Sequence, residues 1–226
     1  MTVDAVVKLG GSLLDGVAPG PLLEALGALA RTKSLVVVPG GGPFADAVRE
    51  ACGRHASDES TAHWMAILAM DQHAHLLAGL QAAADVVVDA EGVRHAVGAG
   101  RLAVLAPFAW LRAADPLPHG WHVTSDSIAA WVAGQVGARR LILLKALDGV
   151  PDGTGGVAPD VSLDALVSTG IVDAYFAHAA DTGVECWILN GREPERLTAL
   201  LRDGRATGTR VRSGPGRRAG RPRARR

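Results

Sequence analysis

Residues 3–12 read VDAVVKLGGS. Val3, Ala5, Val6, Val7 and Leu9 make a nearly continuous apolar, β-branched run, the pattern of a strand buried on both faces of a parallel sheet. Lys8 arrives as that strand runs out. Gly10 and Gly11 then remove the Cβ atoms that would keep an oxyanion away from the backbone. A phosphate placed there is expected to meet exposed N–H groups, a flexible ammonium and the start of a helix, all of which favour negative charge. A strand followed by an ordinary Gly-Gly turn would carry the same letters, so the rest of the chain has to decide.

The pattern recurs. Ser34–Val38 is a second buried strand, closed by Pro39 and then by Gly40, Gly41, Gly42 and Pro43. The FADAVREAC that follows reads as a helix opened by the glycine loop. Between the two strands, Pro21–Arg31 is an amphipathic helix with Leu22, Leu26 and Leu29 on one side. Strand, glycine loop and helix twice within 52 residues imply an α/β fold with a parallel sheet and right-handed crossovers. Ligands of such sheets collect beyond the carboxyl ends of the strands, where both glycine loops lie.

Further along, Asp58–Leu80 is a long, mostly apolar helix with Asp58 or Ser60 as its cap. Its His63, His73 and His75 invite a metal reading. His73 and His75 face different sides of a helix, while Asp71 and His75, four apart, can share one, but a structural role or solvent exposure is the preferred reading. Ala84–Asp89 is expected to be a short strand, Gly92–Ala106 a hairpin or paired strands, and Trp110–Gly120 a proline-containing loop. Residues 98–103, GAGRLA, formally match a dinucleotide-binding glycine fingerprint, but a strand-like run follows them, so they read as a turn. Thr124–Ser127 is a polar knot at the start of a helix. Asp126 is an N-cap or first-turn acid there, and it also points into the cleft of Lys8 if the helix packs on the sheet. Arg140–Lys145 is another buried strand. Beyond the Gly-rich surface loop Pro151–Pro159, the pattern gives helices at Ile171–Thr182 and Glu193–Arg202, a strand at Cys186–Leu189 and an edge strand at Gly208–Val211.

Composition narrows the class. Of the 226 residues 48% are hydrophobic and only 4% aromatic, which marks an aliphatic globular chain. No run of about 18 apolar residues is present, so no transmembrane segment is expected, and no signal peptide precedes the first strand. Two cysteines, Cys52 and Cys186, make neither a disulfide framework nor a zinc pattern, which suits a reducing cytoplasm. The net charge of zero conceals a division. Residues 210–226 carry eight arginines and no acid; the 15 basic and 23 acidic residues that remain give residues 1–209 a net charge of −8. One domain is expected over 1–211, and 212–226 is expected to be a disordered Arg-rich tail with no essential role; nucleic acid is not the expected partner. Lysine usage is sharper still. Only Lys8, Lys33 and Lys145 are lysine among 23 basic residues. Lys33 falls in a polar turn, whereas Lys8 and Lys145 both end apolar strands, equivalent places for a compact, mobile ammonium.

Two lysines at strand ends, two glycine loops and one acid describe a polyphosphate site. Phosphoryl transfer needs donor and acceptor held in line and the charge on the transferring oxygens balanced, and little covalent help. The GxxxxGK(S/T) loop and the protein-kinase motif set are both absent, so a different kinase architecture is implied.

KLGGS at Lys8–Ser12, PGGGP at Pro39–Pro43, TSDSIAA at Thr124–Ala130, LLKALDGV at Leu143–Val150 and LNGREP at Leu189–Pro194 follow one another as in the amino-acid-kinase superfamily, and residues 3–211 resemble it. The resemblance implies a three-layer αβα sandwich around a mainly parallel sheet, with the acceptor on the N-terminal side and the nucleotide on the C-terminal side. It implies that Lys8 spans donor and acceptor phosphates, that Lys145 is a second, donor-side lysine, and that Asp126 orients both. Gly10, Gly11 and Ser12 would lie under the transferring phosphoryl, and Asp148, Gly149, Asn190 and Gly191 near the nucleotide. Gly40, Gly41 and Gly42, with Asp58, Thr124 and Ser125, would meet the acceptor. ATP and Mg²⁺ are the implied cofactors, the metal riding on the ATP phosphates with no dedicated protein ligand. A homo-oligomer is also implied. Thr169–Ala174 departs from the acetylglutamate kinase pattern towards the uridylate kinase branch. The run AHWMAILAMD within Asp58–Asp71, with TSDSIAAW, resembles the branch that phosphorylates an aminomethyl-furanyl-methyl phosphate in methanofuran-type cofactor biosynthesis. Trp64, Trp110, Trp121 and Trp131 are candidates to line a flat ring there. Uridylate or isopentenyl phosphate kinase activity, and a non-catalytic nucleotide-binding role, remain as alternatives.

Overall fold

The computed structural model describes residues 2–13, 19–180 and 183–212. Most of the Arg-rich tail, 213–226, lies outside the described residues. Its strands are β1 Ala5–Leu9, β2 Leu35–Pro39, β3 Ala84–Val87, β4 Leu102–Leu105, β5 Arg140–Lys145, β6 Asp160–Ser162, β7 Glu185–Asn190 and β8 Thr209–Arg212. They form one sheet in the order β3-β4-β2-β1-β5-β7-β8-β6, parallel throughout except where β7 meets β8. The chain therefore builds outward from β1 in both directions, first through β2 and later through β5. This makes β1 the topological switch point, where a parallel sheet opens a crevice beyond its carboxyl edge.

The helices are α1 Gly20–Ala30, α2 Gly42–His55, α3 Glu59–Leu80, α4 Ala90–Gly98, α5 Phe108–Ala114, α6 Ser125–Gln135, α7 Leu163–Ser168, α8 Phe176–Ala179 and α9 Pro194–Asp203. They cover both sheet faces, giving the three-layer sandwich. The period of two along each strand sorts the side chains. Ala5, Val7, Leu9, Ile142 and Leu144 face α1 and α9. Val6, Val38, Leu141 and Leu143 face the opposite layer, where α6 packs through Ile128, Ala129 and Val132. Lys8 continues the Val6 row and Lys145 the Leu141–Leu143 row, so both lysines emerge on the α6 side. Among the described residues no helix is long and apolar enough to cross a membrane.

Four sequence expectations need correction. Residues 92–106 are not a hairpin: α4 fills their first half and only Leu102–Leu105 is a strand. Val93, Ala96 and Val97 recur at helical spacing, and the Asp89 side chain caps the helix by accepting from the Gly92 N–H; the glycines at 92, 98 and 100 obscured this. Residues 110–120 begin inside helix α5 and become a loop only after Ala114. Of the helix expected over 171–182, the described residues form a single turn at Phe176–Ala179, because residues 171–175 are held in turns around Asp173; 181 and 182 lie outside the described residues. β8 is not an edge strand: it lies between β7 and β6, and β6 is the edge.

Candidate active site

The site starts from three charges, two of them buried and that of Lys145 half-buried. Lys8 ends β1, Lys145 ends β5, and Asp126 sits in the first turn of α6 above both. Asp126 Oδ1 lies 3.0 Å from Lys8 Nζ and Oδ2 2.7 Å from Lys145 Nζ. The side chains are 6%, 5% and 15% exposed for Lys8, Asp126 and Lys145. Lys145 Nζ also donates to the carbonyl of Ile171 at 2.8 Å. Burial pushes the Asp126 carboxyl up, but the ammonium groups of Lys8 and Lys145 outweigh it and leave the carboxyl below its ordinary value. Burial, and then the neighbouring Lys8, hold Lys145 below its ordinary value. One carboxylate thus offsets one of two ammonium charges, and the surplus positive charge faces the crevice.

The glycine loops meet at the same place. A Cβ on Gly11 would lie 2.9 Å from the backbone of Gly42, and one on Gly40 3.0 Å from the Gly11 nitrogen. The two loops can touch only because these positions lack side chains. Gly10 does not offer the free N–H that the sequence suggested. Its N–H donates to Leu144 O at 3.2 Å, and that of Gly40 to Leu9 O at 2.8 Å, because the parallel ladders run one residue past the strands. Among the described residues, nothing accepts from the N–H groups of Gly11, Gly41 or Gly42. Gly11 opens a 3₁₀ turn that includes Ser12, and Gly41 caps α2. These three donors, at helix starts, are the ones left for an anion.

Two residues outside the sequence-based set hold this corner together. Asp173 accepts from the N–H and hydroxyl of Thr124 (3.0 and 2.7 Å) and from the N–H and hydroxyl of Ser127 (3.1 and 2.5 Å). It therefore pins the N-terminus of α6 and with it Asp126. The Thr124 hydroxyl is committed to Asp173 and accepts from the Asp126 N–H. His73 of α3 is buried and hydrogen-bonded to the Gly40 carbonyl, so α3 props the second glycine loop. An acid that gathers four donors in a distant loop leaves no pattern in sequence.

Where the nucleotide is expected, Asn190 ends β7 beside Lys145 and Gly191 follows it, its N–H donating to Lys145 O at 2.9 Å. Asn190 Nδ2 donates to Asp148 at 2.9 Å, and Arg196 pairs with both Asp148 and Glu193 at 2.8 Å. Gly149, next to Asp148, packs against Thr209. Arg196 and Glu193 were also outside the sequence-based set.

Where the acceptor is expected, a cavity of about 70 Å³ lies between α2, α3, α6 and the loop before α6. Gly41, Thr124 and Ser125 line one end. Arg49, His63 and Trp121 line it further out. The Arg49 guanidinium stacks on the Trp121 ring at 5.1 Å, and the pair separates the cavity from an open groove of about 540 Å³ that reaches Glu59. Asp58 does not line the cavity. Its carboxylate caps α3 by accepting from the N–H and hydroxyl of Thr61. Of the four tryptophans singled out, Trp121 alone is in the lining. Trp64 stands behind His63, and Trp110 packs on Trp131 away from it.

The profile of the amino acid kinase family matches residues 5–169. The [5-(aminomethyl)furan-3-yl]methyl phosphate kinase of Methanocaldococcus jannaschii is 30% identical over 203 residues, covering 87% of this chain and 92% of that protein. Acetylglutamate kinase of Erythrobacter litoralis is 31% identical over 137 residues, 56% of this chain and 44% of that one. Among solved structures, uridylate kinase from Archaeoglobus fulgidus superposes with a TM-score of 0.72 at 20% identity, covering 92% of this chain and 100% of that chain. UMP kinase from Ureaplasma parvum gives 0.74 at 15% identity, with 93% and 96% covered. Two strand-end lysines bridged by a helix-borne acid, two abutting glycine loops and these likenesses lead to one conclusion: the chain is a kinase that belongs to the amino acid kinase family.

Proposed function

We propose that this kinase transfers the γ-phosphoryl group of ATP to a phosphomonoester and makes a diphosphate, with [5-(aminomethyl)furan-3-yl]methyl phosphate as the acceptor. The observation that carries the transfer step is the Lys8–Asp126–Lys145 bridge beside the Gly11–Gly42 contact. An oxygen of the acceptor phosphate attacks the γ-phosphorus, a new P–O bond forms, and the bond to the β–γ bridging oxygen breaks to release ADP. The attacking oxygen carries no proton at neutral pH, so the step needs no general base. Asp126 suits that requirement: held as a carboxylate between two ammonium groups, it positions them and takes no proton. In this reading Lys8 contacts the transferring group from below, Lys145 balances charge on the donor side, and the N–H groups of Gly11, Gly41 and Gly42 hold phosphate oxygens. Asp148, Gly149, Asn190 and Gly191 would border the nucleotide, and Mg²⁺ would arrive on the triphosphate. Gly40 and Ser125 stay on the acceptor side. Asp58 and the Thr124 hydroxyl act there through the helix starts they cap, with no direct contact to the acceptor.

The choice of acceptor rests on the 30% identity to the M. jannaschii enzyme over nearly all of both chains. ADP release measured with ATP and [5-(aminomethyl)furan-3-yl]methyl phosphate, UMP or isopentenyl phosphate tests the reading. Turnover of the furan phosphate well above the other two is the expected result. Preference for UMP would move the assignment to uridylate kinase. ATP binding without turnover of any acceptor would make the chain a nucleotide-binding protein. Analytical ultracentrifugation of the same preparation tests a homo-oligomer as its working form, and cell fractionation tests a cytoplasmic location.

A further inference from the structure

The α3 face that lines the acceptor side runs His63, Ala66, Ile67, Met70 and then His73, at helical spacing. His73 contacts the Gly40 carbonyl, at the phosphate end of the cavity. His63 is ten residues earlier, about 15 Å away along the helix axis at 1.5 Å per residue. It is 6% exposed and borders the cavity on the side remote from the lysines. Its surroundings hold the ring in one orientation. The His119 ring stacks on it at 4.8 Å, and the Trp64 edge closes it off at 5.1 Å. His119 is itself fixed at both nitrogens, by Ser60 at 2.7 Å and Asp115 at 2.9 Å. Burial, and then His119, press the His63 pKa down to about 4, against an opposing hydrogen bond to the Gly120 backbone. His63 is therefore neutral at physiological pH. A neutral imidazole has one donor and one acceptor nitrogen. His63 therefore brings an acceptor lone pair to the lining of a cavity whose walls are otherwise largely apolar.

We propose that His63 is a specificity-determining residue that accepts a hydrogen bond from an amine or similar donor at the end of the acceptor remote from its phosphate. The inference rests on the proposed phosphomonoester chemistry and adds a second recognition point to it. A substrate lacking the donor leaves the imidazole lone pair buried and unpaired, which is how a polar site rejects an apolar analogue of equal shape. His63, unlike the lysines, takes no part in charge balance during transfer, so its contribution falls mainly on KM.

The test compares two acceptors of nearly equal size, [5-(aminomethyl)furan-3-yl]methyl phosphate and its 5-methyl counterpart, each with ATP. The wild-type protein should favour the amine in kcat/KM by roughly ten- to a hundredfold. His63→Leu and His63→Met should collapse that ratio towards one, chiefly by raising KM for the amine, while His63→Gln, which keeps a carbonyl acceptor, should retain much of it. Thermal unfolding identifies any variant that does not fold; if neither apolar variant folds, the wild-type ratio and His63→Gln decide. A wild-type ratio near one, or an unchanged ratio in a folded His63→Leu or His63→Met protein, overturns the role of His63. Failure of the wild type to phosphorylate either furan phosphate instead overturns the acceptor assignment, and this inference falls with it.

Discussion

The two ends of the acceptor side are built by opposite means. At the lysine end, the ammonium groups of Lys8 and Lys145 each lie within 3.0 Å of the Asp126 carboxylate, at the ends of β1 and β5 and the start of α6. At the His63 end the buried wall is neutral, made of stacked rings and apolar side chains carried by α3 and the loop before α6. The first end is fixed by the sheet and has little freedom to change without losing the chemistry. The second rides on a helix and a loop, which can vary while the sheet stays put. On the proposed reading, the comparison makes transfer and recognition separable: changes at one end should appear in kcat, and changes at the other in KM.

The hardest test of that separation is removal of a lysine. Lys8→Ala and Lys145→Ala should each lower kcat by about 10²–10³ with the fold retained, since each removes charge stabilisation that matters most in the transition state. Steady-state kinetics with circular dichroism decides it, and a near-normal kcat for Lys8→Ala would break the assignment. Asp126→Asn comes next. It leaves two ammonium groups facing each other and should cost about 3–5 kcal/mol of stability in addition to activity. Its sign with pH is also fixed. Because the folded-state carboxyl titrates below 3.8, its stabilisation is complete above that pH and is lost as the pH falls through the lowered value. Urea unfolding between pH 5 and pH 2.5 should show a steeper acid loss for the wild type than for Asp126→Asn.

Asp173→Ala sharpens the comparison from the middle, because Asp173 holds the α6 start that both ends share. Five donors lose their acceptor, and a loss of about 1–3 kcal/mol is expected, with a higher KM and a lower kcat together. Gly11→Ala should push the two glycine loops apart, since the new methyl would meet the Gly42 backbone at 2.9 Å. Overpacking of that kind costs about 1–3 kcal/mol and should lower kcat more than it raises KM. The smallest effect is expected at Trp121→Ala, on the rim. It removes the ring under Arg49 and should change KM by a few-fold, in line with a cation–π contact at a partly exposed site.

Much of the lysine end was legible before any coordinates. The apolar runs ending in Lys8 and Lys145 located two strand tips, and the Thr-Ser-Asp-Ser knot located a helix start. Both are local patterns, because a strand's alternation and a helix cap are decided by near neighbours. The recognition end was not legible in the same way. Asp58 was assigned to the acceptor, yet it serves its own helix, and its carboxylate bonds to Thr61 three residues on. Trp64, Trp110 and Trp131 were equal candidates with Trp121, and only packing separated them. Asp173 and Arg196 act across 46 and 48 residues of sequence, a separation over which no periodicity carries information.

What the sequence determined by itself was the class of sheet, the two glycine loops at its carboxyl edge and the strand ends that carry Lys8 and Lys145. Those follow from side-chain periodicity, from the missing Cβ of glycine and from the rarity of lysine in an arginine-rich chain. Tertiary structure alone decided that Lys8 and Lys145 share one carboxylate, that only some of the loop N–H groups remain free, and that His63, ten residues from the glycine-loop contact of α3, faces the acceptor cavity. Each of these depends on strand register and on the angle at which α3 and α6 cross the sheet. Those quantities are set by the packing of the whole core at once, which no single stretch of sequence encodes.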